Sequence, residues 1–179
     1  MPKVQLGRKT LLVGQCLFLD TSFLVSYRVP QESDHARAKA MMAQFLRLQQ
    51  KGQVELWLSP IVFGETWWAM AQLLHGRSRW EALNPDDRKA VFRQHQSALE
   101  AMTQEFTDSG LFQIAAVESD DIAQTLALVV QPRPSLLPWD AYHTAVAERI
   151  GADTIVSKDR DFRDLDPALG IRVVSFGKT

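Results

Sequence analysis

A chain of 179 residues, 46% hydrophobic and 23% charged, has the material for one globular domain with its own core. Its formal net charge of −1 argues against a protein that coats polyanions by charge alone, although clustered acids would mask basic residues in that sum. The single cysteine, Cys16, excludes an intrachain disulfide and a cysteine-rich zinc site, and a reducing, cytoplasmic setting is the expectation.

Lys3, Arg8 and Lys9 precede an apolar run, Leu11–Leu19, whose outline is that of a signal peptide. The run is short, is interrupted by Gly14 and Gln15, lacks a small-residue cleavage site and passes directly into Asp20, so it reads as a buried strand. No stretch approaches the roughly 20 apolar residues of a membrane span. Within the run, Cys16–Leu19 has the unbroken apolar character of a central strand covered on both faces. Ser33 caps a helix to about Gln50, with Ala38, Met41, Met42, Phe45 and Leu48 at helical spacing and Gly52 as its stop. Val54–Leu58 is the next strand, closed by Ser59-Pro60, and a helix from about Gly64 to Leu74 follows. Pro85 starts a long helix to about Phe106. Leu111–Val117 is a third strand, Ser119 caps a helix to about Val130, and 131–138 is a proline-bearing loop. Asp140 begins a helix to Ile150, and Thr154–Ser157 and Ile171–Ser175 are two further strands. This alternation implies right-handed crossovers and a mostly parallel central sheet between helical layers, an α/β fold of three layers, α/β/α.

In an open parallel sheet, ligands bind beyond the carboxyl ends of the strands. Asp20 follows the first strand directly, Glu65 opens the helix after the second, Asp140 opens a later helix, and Asp159 follows the Thr154–Ser157 strand. Four acids scattered through the sequence therefore share one sheet edge. Packed carboxylates repel one another and stay ionised together only when cations neutralise them. Hard divalent ions, Mg²⁺ or Mn²⁺, prefer such oxygen ligands, and they activate water and stabilise a leaving oxygen in phosphodiester hydrolysis. Each acid alone has an ordinary explanation as a cap or a solvated loop residue. Their joint placement is what points to chemistry.

The same residues resemble a known pattern. Phe18-Leu-Asp-Thr-Ser-Phe-Leu-Val25, Leu58-Ser-Pro-Ile-Val-Phe-Gly-Glu-Thr66, Trp139-Asp-Ala-Tyr-His-Thr-Ala-Val-Ala147 and Ile155-Val-Ser-Lys-Asp-Arg-Asp-Phe162 are similar, in order, to the four motifs of PIN domains. The resemblance spans about residues 16 to 176. It implies a PIN-like domain over 16–179, preceded by an N-terminal extension, 1–15, and carrying a longer helical insertion, 76–107. It also implies that Asp20, Glu65, Asp140 and Asp159 hold the metal, with Ser157 as the supporting hydroxyl and Asp161 as the competing ligand. Size and the lack of further domains look like a VapC-type ribonuclease toxin, which implies an RNA substrate, a small protein antitoxin and a homodimer.

Thr21 or Ser22 stands ready to orient Asp20 or to touch a phosphate. Arg77 and Arg79, with Arg88, Lys89 and Arg93, form a basic stretch that could follow an RNA backbone, against the plainer reading of a solvated face. Trp67 and Trp68 occupy successive helix positions and point apart, one of them into the core and the other free for an interface or a base. The four histidines show no metal-ligand spacing, although His143 lies one turn after Asp140 and could face the cleft. Two rivals remain at this level: an aspartyl-phosphate enzyme, disfavoured because Ser22 stands where a second aspartate is needed, and a degenerate PIN scaffold that binds RNA or protein without cutting.

Overall fold

The structure is a computed structural model that describes residues 1–7, 9–131, 136–165 and 169–177. The chain opens with an antiparallel hairpin, β1 (Lys3–Leu6) and β2 (Lys9–Leu12). The expected strand Leu11–Leu19 is thus two pieces, and only β3 (Cys16–Leu19) enters the main sheet. Gly14, between them, is where the backbone runs against Asp153: a Cβ built there would lie 1.4 Å from Asp153 Oδ1. That carboxylate accepts the Gln15 N–H at 2.8 Å, which pins the entry to β3. Val4 and Val13 are fully buried in the main core, and Gln44 of the helix α2 (His35–Gln50) exchanges two 2.7 Å hydrogen bonds with the Gln5 backbone. The hairpin is thus packed onto the domain through Val4, Val13 and the Gln5 backbone.

Four more strands complete the main sheet: β4 (Glu55–Leu58), β5 (Gln113–Ile114), β6 (Thr154–Val156) and β7 (Arg172–Val174). Their order is β5-β4-β3-β6-β7, with every neighbouring pair parallel. Leu17, Phe18 and Leu19 of β3 and Ile155 and Val156 of β6 are all fully buried, the mark of strands covered on both faces. The connections leaving β3 run outward to β4 and β5, and the chain then returns to the other side of β3. Right-handed crossovers in opposite directions place their helices on opposite faces, giving the three layers. The reversal leaves its crevice at the carboxyl ends of β3 and β6, where ligands bind in such sheets.

A helix unforeseen from the sequence, α1 (Thr21–Arg28), begins at once after β3. Its buried residues, Phe23 to Ser26, are consecutive, so it lies under other elements and carries no amphipathic stripe. The next helix, α2, is capped in position by Asp34 instead of Ser33. After β4, α3 (Pro60–His75) starts four residues before the expected Gly64, with Ser59 as its cap and Pro60 in its first turn. Glu65 is consequently in the second turn of α3 and does not open the helix. The expected long helix Pro85–Phe106 is three helices with its approach: α4 (Arg77–Glu81), α5 (Pro85–Gln94) and α6 (Gln96–Thr107), the last two separated at His95. The break follows from packing. Val91 of α5 joins Ala71 and Trp80 in a small satellite cluster, whereas Leu99, Met102 and Phe106 of α6 belong to the main core.

The expected strand 111–117 shrinks to the two residues of β5 at the sheet edge. Glu118, not Ser119, caps α7 (Ser119–Val129), in a reciprocal capping box with Asp121. Asp121 is buried and takes two bonds, of 2.7 and 3.0 Å, from the guanidinium of Arg149, tying α7 to α8 (Pro138–Arg149). The loop expected over 131–138 falls partly on 132–135, outside the described residues. Among the described residues, no helix is long and apolar enough to cross a membrane.

Candidate active site

Asp20 is the last residue before α1 and serves as its cap. Three donors converge on its Oδ2: the Ser22 N–H at 3.1 Å, the Ser22 hydroxyl at 2.6 Å and the Ser157 hydroxyl at 2.8 Å. Each hydroxyl has one proton to give, so with both directed at Asp20 the 3.1 Å approach of the two serine oxygens is a contact and not a bond. Their lone pairs are used as well. Ser22 Oγ accepts the Lys158 N–H at 3.1 Å, and Ser157 Oγ accepts the Asp159 N–H at 2.9 Å. The backbone after β6 thereby polarises two hydroxyls that both face Asp20.

Thr21, its side chain displaced from Ser22's, turns to Glu65: its hydroxyl donates to Glu65 Oε2 at 2.6 Å. The same oxygen meets His143 Nε2 at 2.7 Å. His143 is 1% exposed, so it reaches Glu65 from the protein interior and does not line the cleft. Among the described residues, neither Asp20 Oδ1 nor Glu65 Oε1 receives a protein donor, and neither is sealed from solvent.

Asp20, Glu65, Asp140 and Asp159 line one cleft of about 260 Å³, together with Thr21, Ser22, Glu32, Arg77 and Lys158. The sheet edge expected to gather the four acids does so. Asp140 is the third residue of α8. Its carboxyl is pushed up to about 7, first by burial and then by the negative charges of Asp159 and Asp20. Glu65 is held below the usual carboxylate range: burial works against this, but the His143 bond and charge and the Thr21 hydroxyl outweigh it. His143 is raised; its burial opposes protonation and is overcome by Glu65, Asp20 and Asp140.

Asp161 does not line the cleft. It opens a short 3-10 turn, Asp161–Asp164, and its N–H donates to Asp159 Oδ1 at 3.1 Å. Of the basic stretch, Arg77 alone borders the acids. Arg79 lies outside it, Arg88 stacks over Trp68 and Trp80 at 5.8 and 5.5 Å, and Arg93 borders a separate groove with Trp67. The basic stretch is not one track. The tryptophan expectation also changes, since neither Trp67 nor Trp68 is in the core; Trp80 is the buried one. Sequence reasoning missed Lys158, which lines the cleft and whose ammonium bonds Glu32, another lining residue, at 2.7 Å. Its position next to Asp159 was the available signal. Cys16 has its thiol pushed up to about 11 by burial and by Glu55 and Asp153, so it is no nucleophile.

The residues fit a hard divalent cation. All the cleft acids offer oxygen, and each of Asp20, Glu65, Asp140 and Asp159 keeps at least one carboxylate oxygen that takes no protein donor among the described residues. Asp140, raised first by burial and then by Asp159 and Asp20, is a carboxyl whose ionisation a cation favours. As the side chains lie, no three of them among the described residues are drawn in around one point.

Residues 17–167 match the PIN domain family, and the chain belongs to it. Among solved structures, it is similar to VapC20 of Mycobacterium tuberculosis, described as a sarcin–ricin loop cleaving toxin, with 22% identity and a TM-score of 0.57 over 82% of this chain and 92% of that one. It is also similar to FitAcB of Neisseria gonorrhoeae, with 19% identity and a TM-score of 0.50 over 88% of this chain and 95% of the other. No curated protein matches it in sequence.

Proposed function

We propose that the protein is a Mg²⁺- or Mn²⁺-dependent endoribonuclease, with Asp20, Glu65, Asp140 and Asp159 as the metal-holding acids. The observation that carries this reading is the crowded cleft itself: four acids at the chain reversal, one of them unable to ionise freely beside the others. A divalent ion bound there supplies Lewis-acid activation of water and of the phosphodiester. Ser22 and Ser157 fix Asp20, Thr21 and His143 fix Glu65, and Ser157 also fixes the backbone that carries Asp159. Arg77 at the same cleft offers positive charge to a phosphate backbone, whereas the Lys158 ammonium is paired with Glu32. Asp161 supports Asp159 through its backbone and is not assigned as a ligand, and Arg79 is left out of substrate binding.

The test is cleavage of unstructured RNA with Mn²⁺, with and without chelator, comparing the wild type with Asp20→Asn and Asp140→Asn. Cleavage giving 5′-phosphate ends, lost in chelator and in both variants while the circular-dichroism signal persists, is the expected result. Binding without cleavage by the metal-loaded wild type would mean the alternative, a scaffold that holds RNA without cutting it. Transfer of phosphate to Asp20 is a poorer reading, because Ser22 spends its hydroxyl on Asp20.

The physiological role proposed is that of a cytoplasmic toxin held in check by a small protein antitoxin, which rests on the resemblance of the motifs. For the homodimer, the support is a stripe along α7 and its C-cap: Ile122, Leu126 and Val130, four residues apart and all largely exposed, form a face that a second copy would cover. Light scattering of wild type and Leu126→Glu tests it, and a monomeric wild type removes it.

A further inference from the structure

Beside the acidic cleft lies a second, larger groove of about 890 Å³, walled by Pro60, Ile61, Gly64, Trp68 and Trp139. The two share Thr21 and Glu65, so they adjoin along those two residues. We propose that this groove is a stacking subsite for an unpaired nucleobase adjoining the scissile phosphate, with Trp139 as its principal platform. The inference rests on the nuclease reading above and adds what part of the substrate the neighbouring surface takes.

Trp139 stands immediately before Asp140 and is 58% exposed. Among the described residues it has no aromatic neighbour and its indole N–H has no acceptor. So large an apolar surface left in water, one residue from a crowded carboxylate, is not accounted for by packing. Trp68 is built differently. Its ring meets Trp80 edge-on at 5.0 Å, and Gln72, with its amide turned to accept, takes both indole N–H groups at 2.8 and 3.2 Å. One tryptophan is thus fixed as a wall, and the other is free to lie against a ligand.

Gly64 makes the space between helix and tryptophans. A Cβ there would meet nothing within 4 Å, so the glycine is not required by any neighbouring contact, and its absent side chain leaves the groove open. The two polar residues on this wall, Thr21 and Glu65, are already bonded to each other. The groove therefore offers flat apolar surface and little to read the edge of a base. Stacking of this kind tolerates every base and follows ring area, so purines bind more tightly than pyrimidines. A base inside a duplex is covered by its neighbours and does not present its face to an indole, so the strand at this point is single.

The test uses the non-cleaving Asp20→Asn protein with Mn²⁺ and a short unpaired oligoribonucleotide in which one abasic residue is walked along the strand. Binding is read by anisotropy and tryptophan quenching. At one register the abasic residue weakens binding by roughly 5- to 100-fold, the range of base–aromatic stacking. Adding Trp139→Ala weakens the intact strand and abolishes that register's penalty. Gly64→Leu, which fills the groove from a helix that a non-glycine residue favours, abolishes it too without lowering Tm. A penalty that survives both substitutions, or none at any register while the wild type cleaves the strand, overturns the subsite and leaves the nuclease reading intact. A strand neither bound by Asp20→Asn nor cleaved by the wild type removes both.

Discussion

His143 Nε2 lies 2.7 Å from Oε2 of Glu65, and through this one bond the interior of α8 sets the position of an acid on α3. Thr21 of α1 bonds the same oxygen, so three helices meet on a single carboxylate atom. Both bonds fall on Oε2 and leave Oε1 to the cleft.

Removing the histidine should therefore act on the metal more than on the fold. Partners that orient metal-binding carboxylates are worth roughly 10–100-fold in affinity or activity. His143→Leu is expected to lower Mn²⁺ affinity by about that factor in calorimetric titration. His143→Gln, which keeps a donor for Glu65, recovers part of it. Affinity equal to wild type in both variants would remove His143 from the site.

The Asp140 carboxyl titrates near 7 in the fold against 3.8 ordinarily. Between those values the folded state keeps a proton that the unfolded chain has lost, so this group makes folding stability fall as pH rises from about 4 to about 7, then level off. Asp140→Asn removes the penalty. At pH 8 in chelator its Tm is expected above wild type, by about 2–4 °C for each kcal/mol relieved. A cation must displace the same proton, so Mn²⁺ affinity should climb with pH to about 7 and then flatten. Calorimetry in buffers of different ionisation enthalpy reads the released proton directly, and an affinity indifferent to pH would contradict this account.

Gly14→Ala places a methyl group 1.4 Å from Asp153 Oδ1. Either the backbone shifts or the carboxylate moves off the Gln15 amide. Overpacking of this kind costs about 1–3 kcal/mol, to be measured by urea denaturation. Gly64→Ala is the control, since no atom stands within 4 Å of its new methyl.

Arg149→Met leaves the buried Asp121 carboxylate with no cation to face. The expected loss is about 3 kcal/mol, read as a lower midpoint in denaturant. Since α7 and α8 are the elements joined there, hydrogen exchange should rise in α7 before it rises in β3.

The alternation of strands and helices was readable because each buried strand is a short apolar run ended by a polar residue, as Leu19 is by Asp20 and Val156 by Ser157. Asp20 and Asp159 followed from those strand ends, whereas Glu65 and Asp140 were placed by expected helix starts that lie four and two residues too late. What escaped notice had no periodic signature. Phe23 to Ser26 are buried in succession, so α1 looks like more of the preceding strand. Gly64 drew the start of α3 too late, although Ser59-Pro60 is a sound cap and first turn. The separation of α5 from α6 depends on two different clusters, which no local sequence records. Lys158 and Glu32 are 126 residues apart, and only the folded chain pairs them.

Leu19 pairs with Val156 in the central ladder, and the next residues along each strand are Asp20 and Ser157. The distance between those two side chains is thus dictated by interstrand hydrogen bonding, not by anything in the connections. Segments elsewhere, such as the extra helices between β4 and β5, can lengthen, shorten or acquire new partners during evolution while the chemical centre keeps its dimensions.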